Sequence, residues 1–115
     1  MPIDKSLLTG STTMLILKLL EEADMYGYQM IEELSKKSQN IFELKAGTLY
    51  PLLHSLEQKN MLTSYEKSTG NLRVRKYYSI TKTGRKYLDE KTKEWKVYIS
   101  AVNNVLGGVD FATVQ

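Results

Sequence analysis

Residues 47–57, with the sequence GTLYPLLHSLE, place leucines on one side of a helix and mainly polar side chains on the other. The apolar side follows the i, i+3, i+4, i+7 spacing of a single helical face: Leu49, Leu52, Leu53 and Leu56. The other face carries Thr48, Tyr50, Pro51, His54, Ser55 and Gln58. Most of these side chains can donate a hydrogen bond to a phosphate or a base edge. The segment therefore predicts a short helix with one side in a core and the other available to a polar partner.

A basic hairpin is predicted directly after this helix. Segments 62–66 and 76–80 are rich in β-forming residues and bracket a turn signal at 68–71. Three cations lie near its tip: Arg73, Arg75 and Lys76. Such a cluster beside a glycine turn favours phosphate or minor-groove contact over a merely solvated hairpin. A short amphipathic helix followed by a basic hairpin is typical of a winged helix-turn-helix, which points to DNA as the partner.

Composition narrows the class of protein without identifying it. The 115 residues suffice for one domain, and 42% hydrophobic residues argue against a disordered chain. A net charge of +3 suits a polyanionic partner without requiring one. There is no cysteine, which excludes disulfides and thiolate metal sites. The apolar run 14–20 is interrupted by Lys18, and no stretch reaches the ~18 apolar residues of a membrane span, so we expect a cytoplasmic protein.

The first predicted helix is capped by Thr9 or Ser11 and runs to about Glu22. It is apolar around much of its circumference, which predicts contact with more than one neighbour. The same character is compatible with this helix crossing to a partner subunit. Residues 1–8 are expected to form a loose arm.

Two further helices precede the hairpin. The second covers about 26–37, and Asp24 is its expected cap. The third begins somewhere in 45–48 and ends near Asn60, which can adopt a left-handed conformation. Proline belongs in the first turn of a helix, so Pro51 predicts either a late start or a kink.

A long last helix is capped by Thr81, covers about 82–106 and stops at a Gly-Gly pair. It would be about 37 Å long, more than the small domain before it can cover. Heptad-like spacing puts one apolar stripe along it: Leu88, Trp95, Tyr98, Ile99, Val102, Val105 and Leu106. The helix could fold back on its own domain, but the length of the stripe favours a symmetric dimer.

The expected organisation is therefore a mainly α chain with a small β-hairpin. Residues 1–81 form a winged helix-turn-helix DNA-binding domain, and 82–108 form a C-terminal dimerisation helix. The apolar-leaning tail 109–115 has no assigned place.

Three motifs together resemble the PadR family of bacterial transcriptional regulators, in its branch with a single C-terminal helix. They are Tyr-Gly-Tyr at 26–28, the segment 47–57, and Arg-Lys-Tyr-Tyr-Ser-Ile-Thr-Lys-Thr-Gly at 75–84. The resemblance covers nearly the whole chain. It implies a homodimeric DNA-binding repressor with a winged helix and one C-terminal dimerisation helix. We expect such a protein to read a pseudo-palindromic operator, with subunits joined through the last and first helices.

The resemblance also implies roles for particular residues. Tyr26 and Tyr28 would approach or support phosphates, and Thr48 and Tyr50 would face DNA from the third helix. The wing would be flanked by Arg73 and Arg75. Charge and helical phase add three further candidates for DNA contact: Lys45, His54 and Lys76. On the second strand of the hairpin, Tyr77 and Tyr78 alternate, so one of the two is expected in the core.

Trp95, the single tryptophan, has two competing interpretations. It can pack as an ordinary core residue. Resemblance to multidrug-sensing members implies instead that it stacks on flat aromatic compounds at the dimer interface, with Lys91, Tyr98 and Val102 lining the site. Tyr98 and Ile99 could also fill that space. Larger family members have a long C-terminal domain, which we do not expect here, so their effectors are not carried over.

Other functions have weaker signals. The only histidine, His54, has no evident partners for metal binding or catalysis. We find no nucleophile–base arrangement and no phosphate-cradling glycine loop, and we predict neither an enzyme nor a cofactor. A winged-helix adaptor that binds proteins instead of DNA stays open as the alternative, since a fold does not fix a function.

Overall fold

The computed structural model describes residues 4–70 and 73–108. The helices are α1 (Lys5–Thr9), α2 (Thr12–Glu22), α3 (Gly27–Lys37), α4 (Ala46–Gln58) and α5 (Lys82–Val105). The strands are β1 (Met25–Tyr26), β2 (Leu62–Ser68) and β3 (Val74–Ile80). The predicted class, mainly helical with a small β-hairpin in a winged helix-turn-helix, is confirmed. The tail 109–115 lies outside the described residues.

The core lies between α2, α3, α4 and one face of the sheet. Helix α2 packs against α3, β3 and α5, and Ile16 and Leu17 are completely buried. This confirms the several neighbours predicted from its apolar circumference. In α4, Leu49 and Leu53 are completely buried and Leu52 is partly buried, as the leucine stripe predicts. The opposite face of α4 is consequently left free.

The three strands form an antiparallel sheet in the order β1-β3-β2. Tyr78 pairs with Met25 on one side and with Ser64 on the other, and its side chain is buried. Tyr77 pairs with Tyr26 and Tyr65, and it points to the opposite face because side chains alternate along a strand. One of the two tyrosines is therefore in the core, as predicted, and the other joins the outer face of the sheet.

Several helix ends follow their sequence signals. Thr81 caps α5, and its hydroxyl accepts a hydrogen bond of 3.0 Å from the Gly84 backbone N–H. Asn60 has a φ of 62° just after α4, which confirms the left-handed ending. Beyond α5, Gly107 and Gly108 have φ values of 112° and 73° and end the helix.

The expected loose arm at 1–8 is wrong for its second half. Residues 5–9 form the short helix α1, and the Asp4 carboxylate accepts a 2.9 Å hydrogen bond from the Ser6 backbone N–H at its start. The Thr12 hydroxyl donates to the Leu8 carbonyl at 2.7 Å and joins α1 to α2. Residues 1–3 lie outside the described part of the chain.

The expected cap of the second helix is also wrong. Tyr26 occupies the cap position of α3, and its backbone N–H donates to the Gln29 side chain at 3.4 Å. Asp24 instead accepts a 2.8 Å hydrogen bond from the Tyr65 hydroxyl of β2. The strand β1, which the sequence suggested only as a break, exists because it pairs with β3.

Pro51 does not delay the start of α4. The helix begins at Ala46, so the proline is its sixth residue. A proline has no N–H to give, and its ring approaches the carbonyl four residues earlier, which here belongs to Gly47. A side chain built at Gly47 would meet nothing within 4 Å, so this side of the helix is open.

Candidate nucleic-acid interface

The exposed face of α4 carries most of the side chains that the sequence assigns to DNA. Thr48, Tyr50 and His54 are all exposed, and Lys45 is exposed at the cap position just before the helix. Thr48 and Tyr50 are two residues apart and therefore lie on opposite flanks of this face, with His54 between them. The face offers hydroxyl, imidazole and ammonium groups over about three helical turns.

Tyr50 contacts the first turn of α3. A Cβ placed on Gly27 would lie 2.6 Å from the Tyr50 Cζ atom, so the ring occupies the space that a side chain there would need. Burial raises the pKa of the Tyr50 hydroxyl, and Tyr28 and Tyr78 add to the increase. The residue as a whole is still 42% exposed. Tyr50 therefore packs against α3 and also remains exposed to a ligand.

Tyr26, next to Gly27, supports an arginine from the hairpin. The Arg75 guanidinium carbon lies 4.3 Å from the centroid of the Tyr26 ring, a cation–π contact. The Tyr77 ring meets Tyr26 edge to face, at 5.4 Å and 79°. Tyr28 lies two residues further along α3 and is 59% exposed. Contacts thus run without interruption from Tyr50, over Gly27 and Tyr26, to Arg75.

The basic cluster of the hairpin is divided between the two faces of the sheet. Lys76 faces the opposite way from Arg75, and its ammonium group lies 3.5 Å from the Glu57 carboxylate of α4. Attraction to Tyr78, and then to Glu57, raises the pKa of Lys76. The Ser64 hydroxyl donates to the same carboxylate at 2.7 Å. Lys76 thus links the hairpin to α4, whereas Arg75 lies beside α3.

Arg73 is exposed beside the turn. Its backbone N–H donates to the Gly70 carbonyl at 3.3 Å, and its carbonyl accepts from the Thr69 backbone N–H at 2.9 Å. Gly70 has a φ of 39°, which suits the turn. On the outer face of the sheet, Lys67 and Tyr65 are exposed beside Arg75, although the sequence interpretation had not selected them. Strand alternation and hairpin register are the signals that would have identified them.

A second candidate site lies where α5 passes the start of α2. A cavity of about 280 Å³ is lined by Gly10, Thr13, Met14, Tyr87, Lys91, Glu94, Trp95 and Tyr98. Three of the four residues expected to hold an effector are thus brought together, and Val102 is not among the lining residues. The Lys91 ammonium group lies 3.2 Å from Glu94, whose hydrogen bond and charge raise the pKa of Lys91. The same ammonium group lies 5.5 Å from the Tyr87 ring centroid.

Trp95 is at the edge of this cavity. Its ring lies 5.7 Å from that of Tyr98, and it also lines a shallow groove of about 380 Å³ along the other side of α5. Trp95 is 38% exposed and Tyr98 is 58% exposed. Both rings are therefore available to a further contact. Among the described residues, no group of three or more His, Asp or Glu side chains is placed to hold a metal.

Comparison with known proteins gives consistent results. A family model described as the transcriptional regulator PadR-like family matches residues 16–90. The chain is 31% identical over 93 residues to the transcriptional regulator Rv3488 of Mycobacterium tuberculosis, covering 81% of this chain and 80% of that protein.

Two solved structures are similar over most of their length. A transcriptional regulator from Clostridium thermocellum superposes with a TM-score of 0.80 at 31% identity, covering 86% of this chain and 96% of the other. A PadR family transcriptional regulator from Eggerthella lenta gives a TM-score of 0.79 at 33% identity, covering 89% and 87%. No helix in the described ranges is both long and apolar enough to cross a membrane.

Proposed function

This chain belongs to the PadR-like family of transcriptional regulators, and from that premise we propose that it is a homodimeric repressor released by a flat aromatic effector. PadR regulators bind DNA and are not enzymes.

The observation that carries the DNA proposal is the uninterrupted contact from α4 to the hairpin. Tyr50 packs on Gly27, and Arg75 packs on the neighbouring Tyr26. A duplex that receives the exposed face of α4 in its major groove would meet Arg75 and Arg73 along the adjoining backbone. We assign base or phosphate contacts to Thr48, Tyr50 and His54, with Lys45, Tyr26 and Tyr28 beside them.

Pairing of two chains is supported by what α5 leaves uncovered. Its only buried residues are Gly84 and Leu88, both in the first two turns. Further along, Tyr98 is 58% exposed, Ile99 36% and Leu106 71%. Contiguous apolar surface of this kind is typical of an interface, and a second α5 related by a two-fold axis would cover it. Exposed Leu7 of α1 can add to that surface.

Binding of DNA is tested by fluorescence anisotropy with a labelled duplex from upstream of the protein's own gene. We expect selective binding over random DNA that weakens steeply with salt, because neutralised phosphates release counterions. Removing the His54 and Arg75 side chains together should weaken it. Removing the side chain of Lys93, which is paired with Asp89 on α5, is the matched control and should not. Equal affinity of the wild type and of the variant that lacks the His54 and Arg75 side chains would contradict the assigned face.

Binding of an effector is tested separately, without DNA. Trp95 is the single tryptophan, so a planar aromatic dye such as ethidium that stacks on it should quench the protein's indole fluorescence. Tyr98→Ala should weaken the quenching. A panel of flat dyes that leaves the emission unchanged at saturating concentration would contradict the effector proposal while leaving the DNA proposal intact.

A further inference from the structure

Three tyrosines form a row across the outer face of the sheet. Tyr65, Tyr77 and Tyr26 lie opposite one another on β2, β3 and β1. The Tyr65 and Tyr77 rings are stacked, with centroids 5.7 Å apart and an interplanar angle of 14°, and Tyr26 closes the row edge to face. The Tyr65 hydroxyl is held by the Asp24 carboxylate at 2.8 Å. The row is therefore anchored at one end by a hydrogen bond that joins segments 41 residues apart.

Two cations lie beside this row. Lys67 and Arg75 are direct cross-strand neighbours on the same face of the hairpin. The Lys67 ammonium group lies 5.4 Å from the Tyr77 ring centroid, and the Arg75 guanidinium lies 4.3 Å from that of Tyr26. Like charges directly opposite each other in a sheet repel each other. The two cation–π contacts hold each cation beside a ring, but they do not neutralise its charge. In the part of the chain that the structure describes, no carboxylate lies within 4.0 Å of either cation.

An anion between the two cations would relieve their repulsion. Cross-strand neighbours have Cβ atoms about 4.5–5.5 Å apart, which allows both side chains to reach one phosphate group. The face is open, so it suits a phosphate that belongs to a long chain more than a free anion enclosed in a pocket. It also adjoins Tyr26 and Gly27, and through them Tyr50 of α4.

We propose that Lys67 and Arg75 together hold one phosphodiester group of the DNA backbone, and that Tyr65 and Asp24 position both cations through the row of tyrosines. The inference rests on the proposed DNA binding and deepens it. Lys67 becomes a further DNA-contacting residue. Tyr65 and Asp24 are positioning residues, which act through the rings and need not touch DNA.

The test of the cations uses a fluorescein-labelled random-sequence duplex, because a phosphate contact does not depend on sequence. Each contacted phosphate contributes about 0.9 to the slope of log K against log salt, so losing it costs about tenfold in affinity at 0.1 M salt. We expect Lys67→Gln and Arg75→Gln each to approach that loss. The double variant should lose little more than either alone, because both cations serve the same phosphate.

Lys93→Gln is the matched control, since it removes one exposed cation from α5. A Lys67→Gln protein that binds like Lys93→Gln would overturn the proposal. A double variant that loses two full phosphate contacts would also overturn it, because the cations would then act independently. If the wild-type protein binds no duplex, the proposed DNA binding itself is contradicted. If the wild type binds normally and Lys67→Gln has no effect, only the proposed role of Lys67 is contradicted.

The positioning role has its own readout. Tyr65→Phe keeps the ring and the charge, and it removes only the hydroxyl that Asp24 holds. We expect a loss of affinity of at most about tenfold in the wild-type background, because one intramolecular hydrogen bond can contribute no more than its own free energy to DNA binding. In the Lys67→Gln/Arg75→Gln background we expect no loss. Adding Asp24→Asn to Tyr65→Phe should cause no further loss of affinity, because the hydrogen bond between the two side chains is already absent.

A Tyr65→Phe effect of equal size in both backgrounds would show that the hydroxyl acts directly on DNA, and would overturn the positioning role. Thermal unfolding of each variant is measured in parallel. If a variant loses affinity only because less of it is folded at the assay temperature, the positioning role is also contradicted.

Discussion

The outer face of the sheet and the second half of α5 both expose aromatic and charged side chains, but they differ in what those side chains touch. On the sheet, each tyrosine contacts another ring, a cation or a carboxylate. On α5, Trp95 and Tyr98 contact each other, and Val105 and Leu106 are 86% and 71% exposed. The tyrosines of the sheet are thus held by neighbours within one chain, while the second half of α5 leaves apolar side chains exposed.

This difference separates two physical tasks. Polar and aromatic side chains held in place by their neighbours can meet a charged ligand with little loss of conformational entropy. Exposed apolar side chains on a long helix gain free energy only when water is removed from them. We therefore place DNA contact on the sheet and α4, and assembly on α5.

The largest expected effect is on assembly. Ile99→Glu would put an uncompensated charge into the proposed interface and weaken the dimer by about 3–5 kcal/mol. Val97→Glu lies two residues away, on the other side of α5, and should leave the dimer intact. Sedimentation velocity at micromolar concentration distinguishes the two. If both variants remain dimeric, the stripe is not the interface.

The next effect is on the free energy of unfolding of the domain, which a core substitution should lower whether or not a partner is bound. Leu53 of α4 is completely buried, so Leu53→Ala should lower the free energy of unfolding by about 2–5 kcal/mol. Val97→Ala, which removes an exposed side chain on α5, should change it by about 0.5 kcal/mol or less. Urea denaturation measures both. Similar losses at the two sites would mean that α5 is packed more tightly than its exposure indicates.

Two glycines give a matched pair at the recognition face. Gly27→Ala must displace the Tyr50 ring and should cost about 1–3 kcal/mol of stability, together with DNA affinity. Gly47→Ala has open space around it and should stabilise α4 by about 0.5–1 kcal/mol. Thermal unfolding of the two variants provides the comparison. A harmless Gly27→Ala would show that Tyr50 does not depend on this contact.

The smallest effect concerns ion pairs. Lys76→Gln loses the pairing with Glu57 and should cost about 0.2–1 kcal/mol, whereas Lys93→Gln, which loses an i,i+4 pair on exposed α5, should cost no more than about 0.5 kcal/mol. Because the pKa of Lys76 is raised above 10.5, its contribution is full at neutral pH and is lost as the pH rises through that raised value. Urea denaturation at pH 7 and pH 11 measures this. A difference between wild type and Lys76→Gln that grows with pH would contradict the pairing.

Local signals predicted much of the fold. Thr81 caps its helix by a hydroxyl-to-backbone contact within three residues, and Asn60 ends α4 through its own backbone conformation. The four leucines of α4 depend only on helical periodicity. Each of these features is decided by residues close together in the chain, so sequence reasoning reached them.

The missed features depend on distant parts of the chain. Strand β1 is two residues long and exists because Met25 and Tyr26 pair with a strand about fifty residues further along. Asp24 likewise finds its partner, Tyr65, only after the hairpin has formed. Arg75 and Lys76 lie on opposite faces of the sheet, and this feature does not depend on distant parts of the chain. Strand alternation alone predicts it. The assigned DNA and effector residues stay predictions.

In the proposed assembly, α5 pairs two chains so that two α4 helices read DNA together. The most direct measurement is selection of binding sites from a random duplex library by the wild-type protein, followed by footprinting of the enriched sequences. We expect two inverted half-sites with centres about 10–10.5 base pairs apart, or a multiple of that spacing. Enrichment of a single half-site would contradict the binding of DNA by two α4 helices together. No enrichment at all would favour a winged-helix adaptor that binds protein partners.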